Sequence, residues 1–207
     1  MWNSPDRSPA ERRSPTCTAP GTGPTRRRSL SPPIRWRSST TSSTRSQDWP
    51  VAAAEGQIAA FLDVAAETLD TIDRVLDDLD DTAVNAVPPV PGVNSVFALV
   101  THVGGALGYW GGSLMAGEDI PRDRSAEFHA TGTVDEARAI VARLRTDLPR
   151  WAAVAATGIR NPEATGTTRR NAATATPEWV LTHMLRELTQ HTGHMEICRD
   201  VVVERAD

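Results

Sequence analysis

The residues whose types and spacing could do chemistry lie near the C-terminus of this 207-residue chain. Residues 176–198 read Thr-Pro-Glu-Trp-Val-Leu-Thr-His-Met-Leu-Arg-Glu-Leu-Thr-Gln-His-Thr-Gly-His-Met-Glu-Ile-Cys, so three of the chain's five His share one short stretch with an acid. On a helix of about 100° per residue, with Glu187 at zero, His191 falls at roughly +40°, His194 at roughly −20° and His183 at roughly −40°. Val180 and Cys198 fall at roughly +20°, so Glu187, His191 and His194 occupy the apolar stripe that should face a core, with His183 on its margin. A carboxylate turned inward among imidazoles is costly unless something compensates it. A divalent cation would, because it takes neutral imidazole nitrogens and a carboxylate directly.

Glu187 and His191, at i and i+4, stand one turn apart on one side and suit two ligands of one ion. His102, between Leu99 and Val103 on another apolar stripe, would supply a third and leave positions open for water or substrate, which is the catalytic rather than the structural pattern. His194 reads as a fourth ligand, an outer hydrogen-bond partner or a proton-transfer group, with the last two preferred. The bland alternative is that a His on an apolar stripe is a satisfied core histidine and that E-x-x-x-H is a pattern common on solvated helices. His129, in a polar connection, reads as a surface residue and Cys198 as core. Tyr109 and Trp110, two turns beyond His102, read as core residues within reach of a ligand pocket and are the candidates for co-substrate binding.

Four helices must position these groups. The first carries Ile58, Leu62, Ala65, Leu69, Ile72, Leu76 and Leu79, spaced 4, 3, 4, 3, 4, 3, a single apolar stripe, with Asp63, Glu67, Asp70, Asp73, Asp77 and Asp78 on the other face. The second, capped by Asn94 or Ser95, runs through Val96, Leu99, Val103, Leu107 and Trp110 toward Met115. Its five glycines (104, 105, 108, 111 and 112) each cost about 1 kcal/mol against Ala in a helix, unless close packing or a ligand needs bare backbone. The third opens on a capping box, Thr133 with Glu136, followed by Ala137, Ile140, Val141, Leu144, Leu148 and Trp151. A Gly/Thr/Asn-rich connection spans 152–175. The last helix starts at Thr176-Pro177, an N-cap with Pro at the first helical position, and extends to Val203. With no convincing strand or repeat, the expected fold is an all-α four-helix bundle.

Residues 1–50 differ from the rest. They hold ten Ser, nine Arg, eight Pro and seven Thr, and carry +6 while residues 51–207 carry −10. So little apolar surface cannot offset ordering entropy, which predicts a disordered extension. No apolar run follows Arg26-Arg27-Arg28, so a twin-arginine export signal is excluded. The segment could be a basic arm, a tether or a mis-assigned start upstream of Val51. The acidic body argues against nucleic acid as a partner. No window approaches the roughly 20 apolar residues of a membrane-spanning helix. Two cysteines, Cys17 and Cys198, exclude a disulfide framework and a four-thiolate zinc site. The 51–207 segment is expected to be one domain.

Leu99-Val100-Thr101-His102-Val103 with Tyr109-Trp110, followed by Trp179-Val180-Leu181-Thr182-His183-Met184 with Glu187, His191, Gly193 and His194, resembles the DinB/YfiT-like metalloprotein superfamily. Within it the pattern is most similar to the mycothiol-dependent maleylpyruvate isomerase and mycothiol transferase-like branch, an actinobacterial group. The resemblance covers roughly residues 55–205. It implies a four-helix bundle holding a divalent metal, zinc or nickel, on His102, Glu187 and His191. It also implies a low-molecular-weight thiol of the mycothiol type as co-substrate, an electrophile as its partner, and a cytoplasmic location. The isomerase has a further C-terminal domain and this chain ends at Asp207, so S-transfer is expected rather than isomerisation. The competing expectation is a non-enzymatic metal-binding or stress-related bundle that acts as a homodimer through the first two helices.

Overall fold

In the computed structural model, residues 51–164 and 175–204 are described. The expected extension over 1–50, and residues 165–174 of the long connection, lie outside them. The first helix, α1 (Val51–Asp77), begins earlier than its apolar stripe, because Ala52-Ala53-Ala54-Glu55 are strong helix formers that need no core face to stay helical. Its buried side is Phe61, Ala65, Leu69, Ile72, Val75 and Leu76, with Ile58 and Leu62 only half-buried. Four acids of the other face are paired rather than simply solvated. Arg145 reaches Asp70 and Asp73 at 2.7 Å each, Arg138 reaches Asp77 at 2.6 Å and Arg199 reaches Asp78 at 2.6 Å.

A single 3₁₀ turn (Ala83–Asn85) leads to α2 (Val96–Leu107), capped by Ser95, whose hydroxyl accepts from the Ala98 amide at 3.2 Å. The helix continues past Leu107 toward Met115 as expected, but from Gly108 to Ala116 it takes the π rather than the α form. The reason lies in the glycines. A Cβ on Gly111 would sit 2.6 Å from the Trp151 ring and 2.8 Å from the Met184 methyl, and one on Gly112 would sit 2.2 Å from Ile120. This stretch of backbone is therefore pressed against side chains of three other segments, and bare backbone is what allows it. Gly117, at φ +72°, stops the helix in the left-handed conformation that glycine adopts without strain.

The polar connection after it contains one turn of helix that its sequence pattern did not announce, α3 (Arg124–Glu127), capped by Asp123. Next, α4 (Val134–Val154) opens on the expected capping box: the Glu136 amide donates to Thr133 Oγ1 at 3.1 Å and the Thr133 amide to Glu136 Oε2 at 2.8 Å. Finally α5 (Pro177–Val203) starts at Thr176, whose hydroxyl accepts from the Trp179 amide at 3.3 Å. Both α1 and α2 pack on α4 and α5, the arrangement of a four-helix bundle, and there is no strand among the described residues. The core between them is aliphatic and aromatic, with Cys198 in it as expected. No described helix is long and apolar enough to cross a membrane.

Candidate metal centre

Facing across the bundle, α2 and α5 bring His102 against Glu187 and His191. One ligand-capable atom from each lies within 4.8 Å of the other two. His102 Nε2 is 3.9 Å and His191 Nε2 3.5 Å from the same oxygen, Glu187 Oε2. The His102 and His191 rings meet edge to face, centroids 4.7 Å apart. His102 is buried, while Glu187 and His191 are partly open to solvent. The helical spacing at i and i+4 set the α5 pair, and the stripe of α2 turned His102 toward it.

Electrostatics make this group unusual. Burial lowers the His102 pKa, the Glu127 carboxylate opposing only in part, so the ring is neutral at pH 7. Glu187 is held at about 2, chiefly by its contact with His191 and against the cost of burial, so it is an ionised carboxylate. His102 Nδ1 lies 2.7 Å from Glu127 Oε2. Opposite a carboxylate, that nitrogen carries the hydrogen, which leaves Nε2 as a bare lone pair facing Glu187 Oε2. Two electron-rich atoms thus point at one another. His191 adds a buried Nδ1 with no hydrogen-bond partner among the described residues, an omission that ordinarily costs about 1–3 kcal/mol. Two imidazoles and an ionised carboxylate brought together, with an unmet buried nitrogen beside them, fit a divalent cation of borderline character.

The remaining expected residues distribute unevenly. His183 comes to Glu187: its Nε2 is 3.5 Å from Oε1, the oxygen turned away from His102 and His191. Its ring stacks on Trp179 (4.7 Å, 10°) and against the edge of Trp110 at 4.6 Å. Trp110 therefore borders the centre, as a wall beside His183. Tyr109 turns instead to the long connection, its hydroxyl donating to the Ala164 carbonyl at 3.1 Å, with Arg122 over its ring. His194 stands one turn past His191, half-buried, with a pKa lowered by burial and then by the His191 charge, and forms no hydrogen bond or ion pair among the described residues. His129 is exposed, as expected.

Sequence reasoning did not find Glu127, Arg122 and Phe128. Glu127 is buried and takes hydrogen bonds from His102 Nδ1 and, at 2.7 and 3.0 Å, from Arg122 Nε and Nη2. Burial pushes its carboxyl up, but these bonds outweigh that and hold it below the usual range. Phe128 stacks on the His102 ring at 4.5 Å. The available signal was Asp123-Arg124-Ser125-Ala126-Glu127, an N-cap Asp ahead of a helix-forming turn. Asp123 does cap it, accepting from the Ser125 and Ala126 amides at 3.0 and 3.1 Å.

A family profile described as mycothiol-S-transferase matches residues 57–203, a span that includes every residue of the candidate centre. Searches of curated proteins and of solved structures found no match.

Proposed function

The chain belongs to the mycothiol-S-transferase family, and from that premise we propose that it holds a divalent metal ion on His102, Glu187 and His191 and uses it to activate a low-molecular-weight thiol. The observation that carries this reading is the convergence of three donor atoms from two helices within 4.8 Å. Zinc or nickel suits two imidazoles and one carboxylate. When bound, such an ion supplies one thing the side chains cannot, a thiol acidified enough to be a thiolate at neutral pH.

The rest of the work falls to the chain's own groups. Trp110 and Trp179 pack around His183 and hold it beside Glu187 Oε1, an oxygen that also accepts from the exposed Arg186 at 3.2 Å. His194, neutral at pH 7 because burial depresses its pKa, receives the proton that the thiol releases and passes it on. The sulfur forms a bond to an electrophilic carbon while a leaving group departs with the electron pair of the breaking bond. On an activated alkene the π pair moves to the neighbouring carbon, and His194 returns the proton there. The thiol is of the mycothiol type, the electrophile a small organic molecule, and the setting the cytoplasm, where such thiols stay reduced.

The test is thiol-dependent consumption of an alkyl bromide probe by zinc-loaded protein. The loaded wild type should exceed the metal-free protein, and His194→Ala should lose about 10²–10⁴-fold, the range of a general base. Equal rates with and without zinc would overturn the proposal.

A further inference from the structure

A buried carboxylate on a four-residue helix is expensive, so its position needs a reason. Glu127 is 6% exposed, and both of its oxygens are satisfied: Oε2 by His102 Nδ1 and Arg122 Nη2, Oε1 by Arg122 Nε. It can lie where it does because position 105 has no side chain. A Cβ on Gly105 would sit 2.1 Å from Glu127 Oε1 and 2.8 Å from its Cδ, and 3.5 Å from Arg122 Nε. Gly105 lies inside α2, where glycine costs about 1 kcal/mol against alanine. No turn or positive φ calls for it there. What it provides is a seat for the carboxylate against the backbone of the helix that carries His102.

The same short segment closes on His102 from another side. Phe128, next to Glu127, stacks on the imidazole at 4.5 Å and 29°. Between them, these neighbours fix the ring's plane, its rotation and the nitrogen that bears hydrogen. We propose that Glu127, seated on Gly105 and clamped by Arg122, is a positioning residue for the centre, holding His102 with its Nδ1–H engaged and its Nε2 lone pair turned toward Glu187 and His191. The inference rests on the reading of those three residues as metal ligands. Outer carboxylates of this kind set ring orientation and donor strength, and their loss commonly costs 10–100-fold in metal affinity.

Without Glu127 the Nδ1–H loses its acceptor. The favoured tautomer then moves the hydrogen to Nε2, where Glu187 Oε2 at 3.9 Å is the acceptor on offer, and the lone pair that a metal needs is gone. Gly105→Ala should do the same without altering any polar group. Its methyl strikes the mobile end of Glu127, the part that can give way, while alanine itself improves the helix.

The experiment compares full-length wild type, Glu127→Ala, Gly105→Ala and, as a control on α1, Gly56→Ala, where an added Cβ meets nothing within 4 Å. Zinc affinity is read by competition with a chromophoric chelator. The His102 tautomer is read from its ¹⁵N shifts in the metal-free proteins. Zinc affinity should fall 10–100-fold in the first two variants, with their His102 signal moving from the Nδ1–H to the Nε2–H pattern, and Gly56→Ala should match wild type. If either variant keeps both the wild-type affinity and the wild-type tautomer, the positioning role is wrong. A fall in affinity with the tautomer unchanged would also overturn it, leaving Glu127 a role in stability alone. A wild type that binds no zinc would overturn the ligand reading instead, while the metal-free ¹⁵N shifts would still decide what Glu127 does.

Discussion

Two glycine-to-alanine substitutions on facing helices should move stability in opposite directions. At Gly111, in the π-helical stretch, the new methyl would lie 2.6 Å from Trp151 Cε3 and 2.8 Å from Met184 Cε, well inside ordinary contact. Trp151 is 2% exposed and its indole N–H donates to Glu118 Oε2 at 3.1 Å, so the ring has nowhere to retreat. Met184 is buried too, although its thioether is more pliable. Overpacking of this kind costs about 1–3 kcal/mol, against a propensity gain of at most about 1 kcal/mol. Even with that gain in full, the net expectation is a loss of up to about 2 kcal/mol. At Gly193, inside α5, an added Cβ meets nothing within 4 Å, so the propensity gain stands alone, about 0.5–1 kcal/mol of added stability. Urea unfolding of the two variants beside wild type reads the difference directly, provided the denaturant slopes agree. The midpoints should bracket wild type, with Gly193→Ala above and Gly111→Ala below. If Gly111→Ala proved as stable as Gly193→Ala, the packing explanation for the π-helix and its glycines would fail.

Other outcomes follow from the same structure. Burial pushes the Cys198 thiol up to about 11 from 9.0. The fold therefore favours the protonated form, and this stabilisation, complete below about pH 9, is lost as pH rises toward 11. The full loss is roughly 2–3 kcal/mol, so wild type should lose more stability between pH 8 and 10.5 than Cys198→Ala, and equal slopes would contradict the shift. Arg145→Ala removes a half-exposed guanidinium shared by Asp70 and Asp73 and should cost no more than about 1 kcal/mol, less at high salt, as measured by thermal melts at two ionic strengths. A chain starting at Val51 should melt within about 2 °C of the full chain, because residues 1–50 are too poor in apolar side chains to add to a core. A much larger drop would give residues 1–50 a structural part.

The elements that could be read directly were those whose signal is local or periodic. Thr133 with Glu136 and Thr176-Pro177 are caps written in adjacent residues, and the structure forms both; of the two candidates Asn94 and Ser95 it uses Ser95. The i, i+4 pair Glu187–His191 is fixed by helix geometry, and the stripe of α2 turned His102 toward it. What escaped depends on contacts between distant segments. Nothing in the spacing of Gly104 to Gly112 says that Trp151, Ile120 and Glu127 will press against that helix, so neither the π-helix nor the seat at Gly105 was visible. Glu127 sits on a single helical turn, too short for a period. His183 and His194 differ by only about 20° on the helical wheel. Their heights differ, however: His183 stands one turn from Glu187 and reaches its Oε1 at 3.5 Å, whereas His194 stands two turns away.

The central claim is that His102, Glu187 and His191 share one ion. Its most direct test is zinc stoichiometry after chelation and reconstitution, measured on wild type, His102→Ala, Glu187→Ala and His191→Ala, with folding checked by circular dichroism. Wild type should retain one zinc per chain, and each variant, still helical, should retain little. Folded variants that hold as much zinc as wild type would contradict the account.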